Sequence, residues 1–554
     1  MPADRRWIAP ALVTLGLAVV VWTAACGQKD TGGWVNDTVC PASQVACGEQ
    51  CFDLTSDPMN CGGCGLHCSA GQLCQAGACQ CASGTLCNGA CLAPGSGDCE
   101  GTPGTGATLV TSTPGAYWKT DGQLTEVTTG SATVTVDDAS TAQTWEGFGG
   151  SFNEKGWSYL SLLSETDRDT AMHLLYGADG ARFAFGRIPI GASDYANDRY
   201  TLDETPDDTS LADFSIDRDL QNLVPYVKAA QAVKSSIRFW ASPWTPPTWM
   251  KQGPFSSGQV VSPFDGGTMK SDDTTMRAFA AYLVDFVQAY AQLGINVEVI
   301  SPQNEPGYTG NYPTCGWSPA TYTTFVGQYL GPAIATAGLA TKIMLGTFNG
   351  GDGDATIVGT LMGDASARSY IGVLGYQWGM WRNIPRSKEY GLPIWETEHQ
   401  CGNYPWAKPF NASMAPNDQA YAVESWGLVR DWIRRGITAY SVWNMVLDTT
   451  GVSIDTTRVW PQNALLTVDP ASSTLNVTPT YYVFRHLSQF VAPGAKVVAT
   501  NGGDAVAFKN PDGRIVAMLF NSGPAKMMIV AAAGKKFQFA MPSNGWATVI
   551  TGTD

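Results

Sequence analysis

The sequence predicts an α/β chain: a (β/α)8 TIM barrel with an attached β-sandwich side domain, preceded by a disulfide-rich module. Three observations carry this. Helical and strand patterns alternate over roughly 300 residues in the middle of the chain, the pattern of a parallel sheet closed by outer helices. Towards the C-terminus the pattern changes to short strands joined by tight turns. Twelve of the fifteen Cys fall between Cys40 and Cys99, a density that replaces a hydrophobic core with crosslinks.

Taken in order, Arg5 and Arg6 precede an apolar stretch from Trp7 to Trp22, which ends in Thr23-Ala24-Ala25-Cys26. A charged start, an apolar run and small residues before a cut describe a signal peptide over residues 1–25. The Cys points to lipoprotein processing, with Cys26 as the lipidated N-terminus and residues 26–39 as a tether. Thr23 stands where such signals usually carry Leu, so plain secretion and an uncleaved anchor stay open. The protein is expected to be exported, as a cell-envelope lipoprotein or a secreted chain, and to meet a membrane only through that anchor. No other stretch is long and apolar enough to cross a bilayer.

Residues 40–99 form the Cys-rich module. The run Cys61-Gly62-Gly63-Cys64-Gly65-Leu66-His67-Cys68 would suit zinc in isolation, but export favours oxidation, and six disulfides are expected. The segment resembles short Cys-rich repeats of bacterial surface proteins, a resemblance that implies no activity. Residues 100–112, which include Gly101-Thr102-Pro103-Gly104-Thr105-Gly106, read as a flexible linker. Residues 113–145 read as Thr/Val strands such as Ala132 to Val136, able to complete a C-terminal sandwich and make the side domain discontinuous.

The barrel is expected over residues 146–478. Ser164-Glu165-Thr166-Asp167 starts a helix that stops at Gly177, and Arg182 to Ile188 is the next strand. Ser215 is read as opening a second helix, followed by a strand from Ile237 to Ala241. Phe279, Leu283, Phe286 and Tyr290 share one helical face, and Asn296 to Ile300 follows as a strand. Ser318-Pro319 starts another helix. Further strands are expected at Lys342 to Gly346, Ile371 to Tyr376, Leu392 to Thr397 and Thr438 to Trp443. Residues 479–554 are assigned to the sandwich, on strands such as Ala505 to Phe508 and Ile515 to Phe520 around the turn Asn510-Pro511-Asp512-Gly513.

The formal charge of −15 and a pI near 4.7 exclude binding to a phosphate backbone, since no Lys/Arg cluster exists to release counterions. Nucleic acid is not an expected partner. Charged residues make up only 15 % while aromatic residues reach 11 %, a balance suited to stacking rings on sugars as well as to filling a core. The four His, at 67, 173, 399 and 486, show no metal-ligand spacing, so neither metal nor cofactor is expected. Nothing in the sequence sets the oligomeric state.

Two carboxylates dominate the chemistry. Glu305 ends Ile300-Ser301-Pro302-Gln303-Asn304-Glu305-Pro306, and Glu398 ends Leu392-Pro393-Ile394-Trp395-Glu396-Thr397-Glu398. Both follow apolar strands, and a barrel collects strand C-termini at one mouth. Hydrolysis of a glycosidic bond needs such a pair, one acid to protonate the leaving oxygen and one carboxylate to attack carbon or activate water. Glu396 lies two residues before Glu398 on the same strand face, so period alone leaves it a rival. Asn304 adds a donor for a sugar hydroxyl.

From about residue 130 onward the chain resembles glycoside hydrolase family 30. The resemblance rests on ordered motifs: Gly147-Phe148-Gly149-Gly150-Ser151-Phe152, Arg187 to Asp194, Ala241 to Lys251 around Trp244, Asn304-Glu305-Pro306, Trp395-Glu396-Thr397-Glu398 and Val442-Trp443-Asn444. It implies a barrel with a sandwich, a retaining mechanism, and an oligosaccharide, polysaccharide or glycolipid substrate. By the same resemblance Glu305 is the acid/base and Glu398 the nucleophile. Asn304 would bind the 2-hydroxyl and Arg187 keep the nucleophile ionised. Asp194 and Trp244 would hold far-side hydroxyls, and Trp443 would floor the sugar ring. Two departures fall near the sugar: Tyr376-Gln377-Trp378-Gly379 replaces a His-Trp-Tyr pattern, which puts Trp378 in the cleft wall, and Asn153-Glu154 replaces Thr-Asp.

The expected activity is hydrolysis of β-linked glucosides, glucosylceramide-like or β-1,6-glucan. Two alternatives stand beside it, a relative cutting β-linked galactose, xylose or fucose units, and a non-catalytic carbohydrate-binding surface protein. Cys315 and Cys401 follow the two acids by ten and three residues, and a disulfide between them is one expectation, two separate buried thiols the other.

Overall fold

The computed structural model describes residues 40–552 apart from 42, 48–49, 62–67, 69–71, 77, 82–84, 88–89, 93–106, 123, 258–260 and 352. The signal peptide, Cys26 and the tether lie outside the described residues, as does most of the linker. The chain divides into two compact units, residues 1–101 and 102–554.

In the first unit, short antiparallel pairs such as Val45–Cys47 with Gln50–Phe52 and Gln72–Gln75 with Ala78–Cys81 are all the regular structure described. Disulfides join Cys40 to Cys51 and Cys61 to Cys74, each with Cα atoms 5.5 Å apart. Among the described residues of this unit the buried apolar side chains are Cys61 and Cys74 themselves. Crosslinks stand where a core would be.

The second unit holds a closed barrel of eight parallel strands in sequence order: β1 (Gly147–Ser151), β2 (Phe185–Ile190), β3 (Arg238–Pro243), β4 (Val297–Ile300), β5 (Lys342–Phe348), β6 (Ile371–Tyr376), β7 (Ile394–Glu396) and β8 (Ala439–Asn444). Parallel pairing of Gly147 with Ala439 closes the ring between β1 and β8. Every residue of β1, β2, β7 and β8 is buried, as expected for a sheet covered on both faces. The outer helices follow their signals. Ser164 caps helix Glu165–Tyr176 by accepting from the Asp167 backbone N–H, and Gly177 ends it. Helix Asp273–Gln292 buries Phe279, Leu283, Phe286 and Tyr290 completely.

Three readings of the sequence change. Ser215 does not open a helix: its N–H is tied back to the Leu202 carbonyl, and the helix runs from Leu223 to Val233. The first sandwich strand, Thr108–Thr113, begins inside the stretch read as linker. Pro479–Ser488, assigned to the sandwich, is a helix with Pro at its first turn, and its Tyr481, Phe484 and Leu487 pack in the barrel's core cluster. The three-residue spacing of those side chains, which keeps them on one helical face, outweighs the Thr/Tyr/Val content that suggests strand.

The side domain is one folded ten-stranded sheet and it is discontinuous in sequence. Thr108–Thr113 pairs with Gly545–Ile550, and Val134–Thr144 pairs with Lys496–Asn501. Two register shifts bend Val134–Thr144, which also runs parallel to Lys526–Ala532 and so joins the two leaves. Val134, Val136, Leu519, Val530, Phe539 and Val549 fill the space between them. His486, on the last helix, bonds Thr548 and Ser112 at 2.8 Å each and fastens the sandwich to the barrel. Among the described residues no helix is long and apolar enough to cross a membrane.

Candidate active site

β4 ends at Ile300, and the five residues after it swing Glu305 into the mouth. Its N–H donates to the Thr347 carbonyl at the end of β5 at 3.0 Å, while its φ of 49° holds the left-handed region that non-glycine residues seldom occupy. Glu305 Oε1 accepts from Gln377 Nε2 at 2.9 Å and Oε2 from the Tyr312 hydroxyl at 3.2 Å. No cation bonds it. Burial first, and the nearby Glu398 charge second, push its carboxyl up to about 7, against hydrogen bonds from Asn349 and Gln377 that pull the other way.

Glu398 follows β7 and stands in different company. Arg187 Nη1 donates to its Oε2 at 2.7 Å, and Trp378 Nε1 to its Oε1 at 3.4 Å. Burial raises this carboxyl above its ordinary value, and the guanidinium is the main force holding the rise back. The two adjacent residues at the end of β6 therefore touch one acid each, Gln377 on Glu305 and Trp378 on Glu398. This is the segment that departs from the resemblance.

Arg187, on β2, is fully buried and fixed on every side. Its Nε and Nη2 donate to Ser242 Oγ, and Nη2 also donates to Asn304 Oδ1 at 2.6 Å. Its guanidinium carbon lies 4.8, 4.2 and 5.3 Å from the ring centroids of Trp240, Trp244 and Trp443. Asn304 Oδ1 accepts a second bond from Thr347 Oγ1 at 2.8 Å. With the oxygen so occupied, the amide NH2 is the group left to donate into the site.

A cavity of about 240 Å³ opens between the acids. Of the residues expected to act here, Asp194, Glu305, Trp378, Glu398 and Trp443 line it. Arg187, Asn304 and Trp244 stand behind that lining. Trp244, 1 % exposed, stacks on Trp443 at 5.1 Å and on Arg187, so its contacts in the structure are with the cation and the floor. Burial and the Glu398 charge raise the Asp194 carboxyl well above its ordinary value. Glu396 is buried outside the lining; its Oε1 accepts from the Glu398 N–H at 3.2 Å, and burial first and the Glu398 charge second raise its carboxyl well above its ordinary value.

The sequence reading missed Tyr308, Tyr312, Asn349, Arg458 and Trp460, which also line the cavity. All lie in loops, where no periodicity marks them; only proximity to Glu305 offered a signal for the two tyrosines. Trp406, 62 % exposed, completes the rim beside Tyr404, Trp460 and Trp378.

The disulfide between Cys315 and Cys401 does not form. Both thiols are free and buried. Cys315 sits in the main core beside the loop after β4, and Cys401 packs with Tyr195, Trp443 and Trp460 after β7. Loops from strands three places apart around the ring face different neighbours.

Comparison with known proteins gives one consistent result. The family model described as the glycosyl hydrolase family 30 TIM-barrel domain matches residues 145–491, and that of the family's beta sandwich domain matches residues 494–549. Putative glucosylceramidase 2 of Caenorhabditis elegans is 27 % identical over 415 residues, covering 70 % of this chain and 77 % of its own. Endo-1,6-beta-D-glucanase neg1 of Aspergillus fumigatus is 25 % identical over 448 residues, covering 75 % and 87 %. Among solved structures, the endo-beta1,6-glucanase BT3312 shares the fold with a TM-score of 0.69 at 24 % identity, over 81 % of this chain and 99 % of that one.

Proposed function

The chain belongs to glycosyl hydrolase family 30, and from that premise we propose that it hydrolyses β-linked glucosides, of the β-1,6-glucan or glucosylceramide kind, with retention at the anomeric carbon. Glu398 is the nucleophile and Glu305 the general acid and base. The observation that carries this assignment is the unlike surroundings of the two acids. A carboxylate that must attack has a fixed cation at 2.7 Å, and one that must hold and return a proton has only neutral donors and an affinity near 7.

In the first step Glu398 attacks the anomeric carbon as the glycosidic C–O bond breaks, and the Glu305 proton passes to the leaving oxygen. This produces a glycosyl ester on Glu398. In the second, Glu305, now a carboxylate, takes a proton from water, whose oxygen attacks the same carbon and frees Glu398. The Asn304 amide donates to the 2-hydroxyl, a bond that strengthens as charge grows on the ring. Asp194 receives hydroxyls on the far side, Trp443 forms the floor, Trp244 steadies Arg187 and Trp443, and Trp378 walls the cleft. Arg187 keeps the nucleophile charged. No cofactor enters these steps.

A 2-fluoro-β-glucoside with a good leaving group tests the reading, since it slows the second step and lets the ester accumulate. Peptide mapping is expected to find the label on Glu398. Label on Glu396, or an inverted first product by NMR, would overturn it. We further propose export by the N-terminal signal with lipid on Cys26, and full oxidation of the Cys-rich segment. Incorporation of labelled palmitate that is lost in Cys26→Ala tests the anchor.

A further inference from the structure

The loop after Glu305 forms the wall of a second cavity, of about 510 Å³, lined by Phe255, Tyr308, Thr309, Asn311, Asp455 and Arg458 among others. Tyr308 and Arg458 also line the cavity between the acids, so the two adjoin. The walls are held from several directions. Arg199 Nη2 bonds Asp265 at 2.8 Å and the Asn311 carbonyl at 3.0 Å. Lys251 Nζ bonds the Phe264 carbonyl at 2.8 Å and the Thr314 carbonyl at 2.9 Å, which fastens the hairpin of Lys251–Ser257 and Val261–Met269 to the same loop. On the other side Asp455, 4 % exposed, accepts from the backbone N–H groups of Thr457 and Arg458 at 2.9 Å each and fixes the turn that presents Arg458.

On the reading proposed above, which this inference rests on, Glu305 gives its proton to the leaving oxygen. The leaving group therefore departs along the Glu305 side, where Tyr308, whose N–H donates to the Glu305 carbonyl at 2.9 Å, borders both cavities. We infer that this cavity is a binding subsite for sugar units on the leaving-group side, and that the substrate is a β-glucan chain and not a glycolipid. A sugar ring offers an apolar face to Phe255 and Tyr308 and hydroxyls to Asn311 and Arg458. A ceramide would lay two hydrocarbon chains against the half-exposed Arg458 guanidinium and the Asn311 amide and remove water from polar groups it cannot bond.

The test uses the whole protein on β-glucosyl fluoride, whose one-atom leaving group needs no leaving-group subsite, on β-1,6-linked glucose oligomers of two, three and four units, and on glucosylceramide in detergent micelles. For the wild type, kcat/KM is expected to rise about tenfold or more with oligomer length, and glucosylceramide to be the poorest substrate. Asn311→Trp, which fills the second cavity alone, should abolish the rise with length and lower turnover of the fluoride far less than that of the oligomers. Asn311→Ala should weaken the rise less. A circular dichroism spectrum and melting temperature like those of the wild type show both variants folded. Turnover of the fluoride with no length dependence among the oligomers, or with glucosylceramide preferred, overturns the subsite only. Turnover of no β-glucoside at all overturns the parent reading and this one together.

Discussion

At the barrel mouth two glutamates of equal exposure, 7 % each, stand against walls of different construction. The wall behind Glu398 is charge and rings: a guanidinium with no exposed surface, caged by three tryptophans and held by Ser242 and Asn304. The wall behind Glu305 is amide, phenol and backbone, with no cation bonded. Burial alone would raise both carboxyl groups. The cation opposes that rise at Glu398, whereas nothing of equal charge opposes it at Glu305. One residue type thus meets unlike surroundings at the two positions, and the difference suits the separate tasks proposed for the pair.

The largest expected effect breaks the charged wall. Glu398→Gln keeps the shape and removes the proposed nucleophile, and kcat should fall by roughly three or more orders of magnitude on every substrate. Near-normal activity of this variant beside an inactive Glu396→Gln would assign the nucleophile to the buried neighbour. The neutral wall gives a more selective result. Glu305→Ala should lose about 10²- to 10⁴-fold on natural leaving groups, which need a proton, and far less on dinitrophenyl glucosides, which do not. Equal losses on both would remove the acid role.

Gln377 and Trp378 offer a finer test because each touches one acid. The Gln377 hydrogen bond lowers the Glu305 affinity for its proton, so Gln377→Leu should raise it further above about 7. The acid form then persists to higher pH, and the alkaline limb of kcat/KM moves up. The Trp378 bond lowers the affinity of Glu398, so Trp378→Phe should raise that value and move the acidic limb up, since attack needs the ionised form. Both variants act through one hydrogen bond, so activity at each optimum should drop no more than about tenfold. The same limb moving in both variants would mean that the two walls titrate as one unit.

How far this arrangement was legible follows from where each residue sits. β6 was read to the residue, Ile371 to Tyr376, because an apolar run bounded by Tyr370 and Gln377 leaves little choice. The acids were legible because each ends such a run, and the barrel brings all strand ends to one mouth. Period could not separate Glu396 from Glu398. Depth separates them, since one is below the lining and the other in it. Tyr312, Arg458 and Trp460 were not legible, because loop geometry follows from long-range bonds such as that of Trp460 Nε1 to the Gly402 carbonyl at 3.0 Å and leaves no repeat in sequence. The hairpin Lys251–Met269 was hidden for the same reason: its anchor is a buried lysine that bonds the Thr314 carbonyl, 63 residues along the chain.

The smallest expected effect concerns the two thiols, Cys401 in the cavity lining with Glu398 and Cys315 in the main core on the loop that follows Glu305. A bridge between Cys315 and Cys401 would tie the walls together, and a change at one acid would then strain the other. Free thiols leave the walls to packing and hydrogen bonds, which is why Gln377 and Trp378 can be expected to move separate limbs. Burial pushes the Cys315 thiol up to about 12 and the Cys401 thiol well above its ordinary value, so at neutral pH neither supplies thiolate. Native protein treated with iodoacetamide should therefore carry no label at either position. The same protein unfolded without reductant should carry label at both, while the cysteines of residues 40–99 stay protected as disulfides. Cys315→Ser, remote from the cavity lining, should change kcat/KM less than about twofold. Protection of Cys315 and Cys401 in the unfolded, unreduced chain would show a bridge after all, and with it a mechanical link between the walls that the pH limbs would have to share.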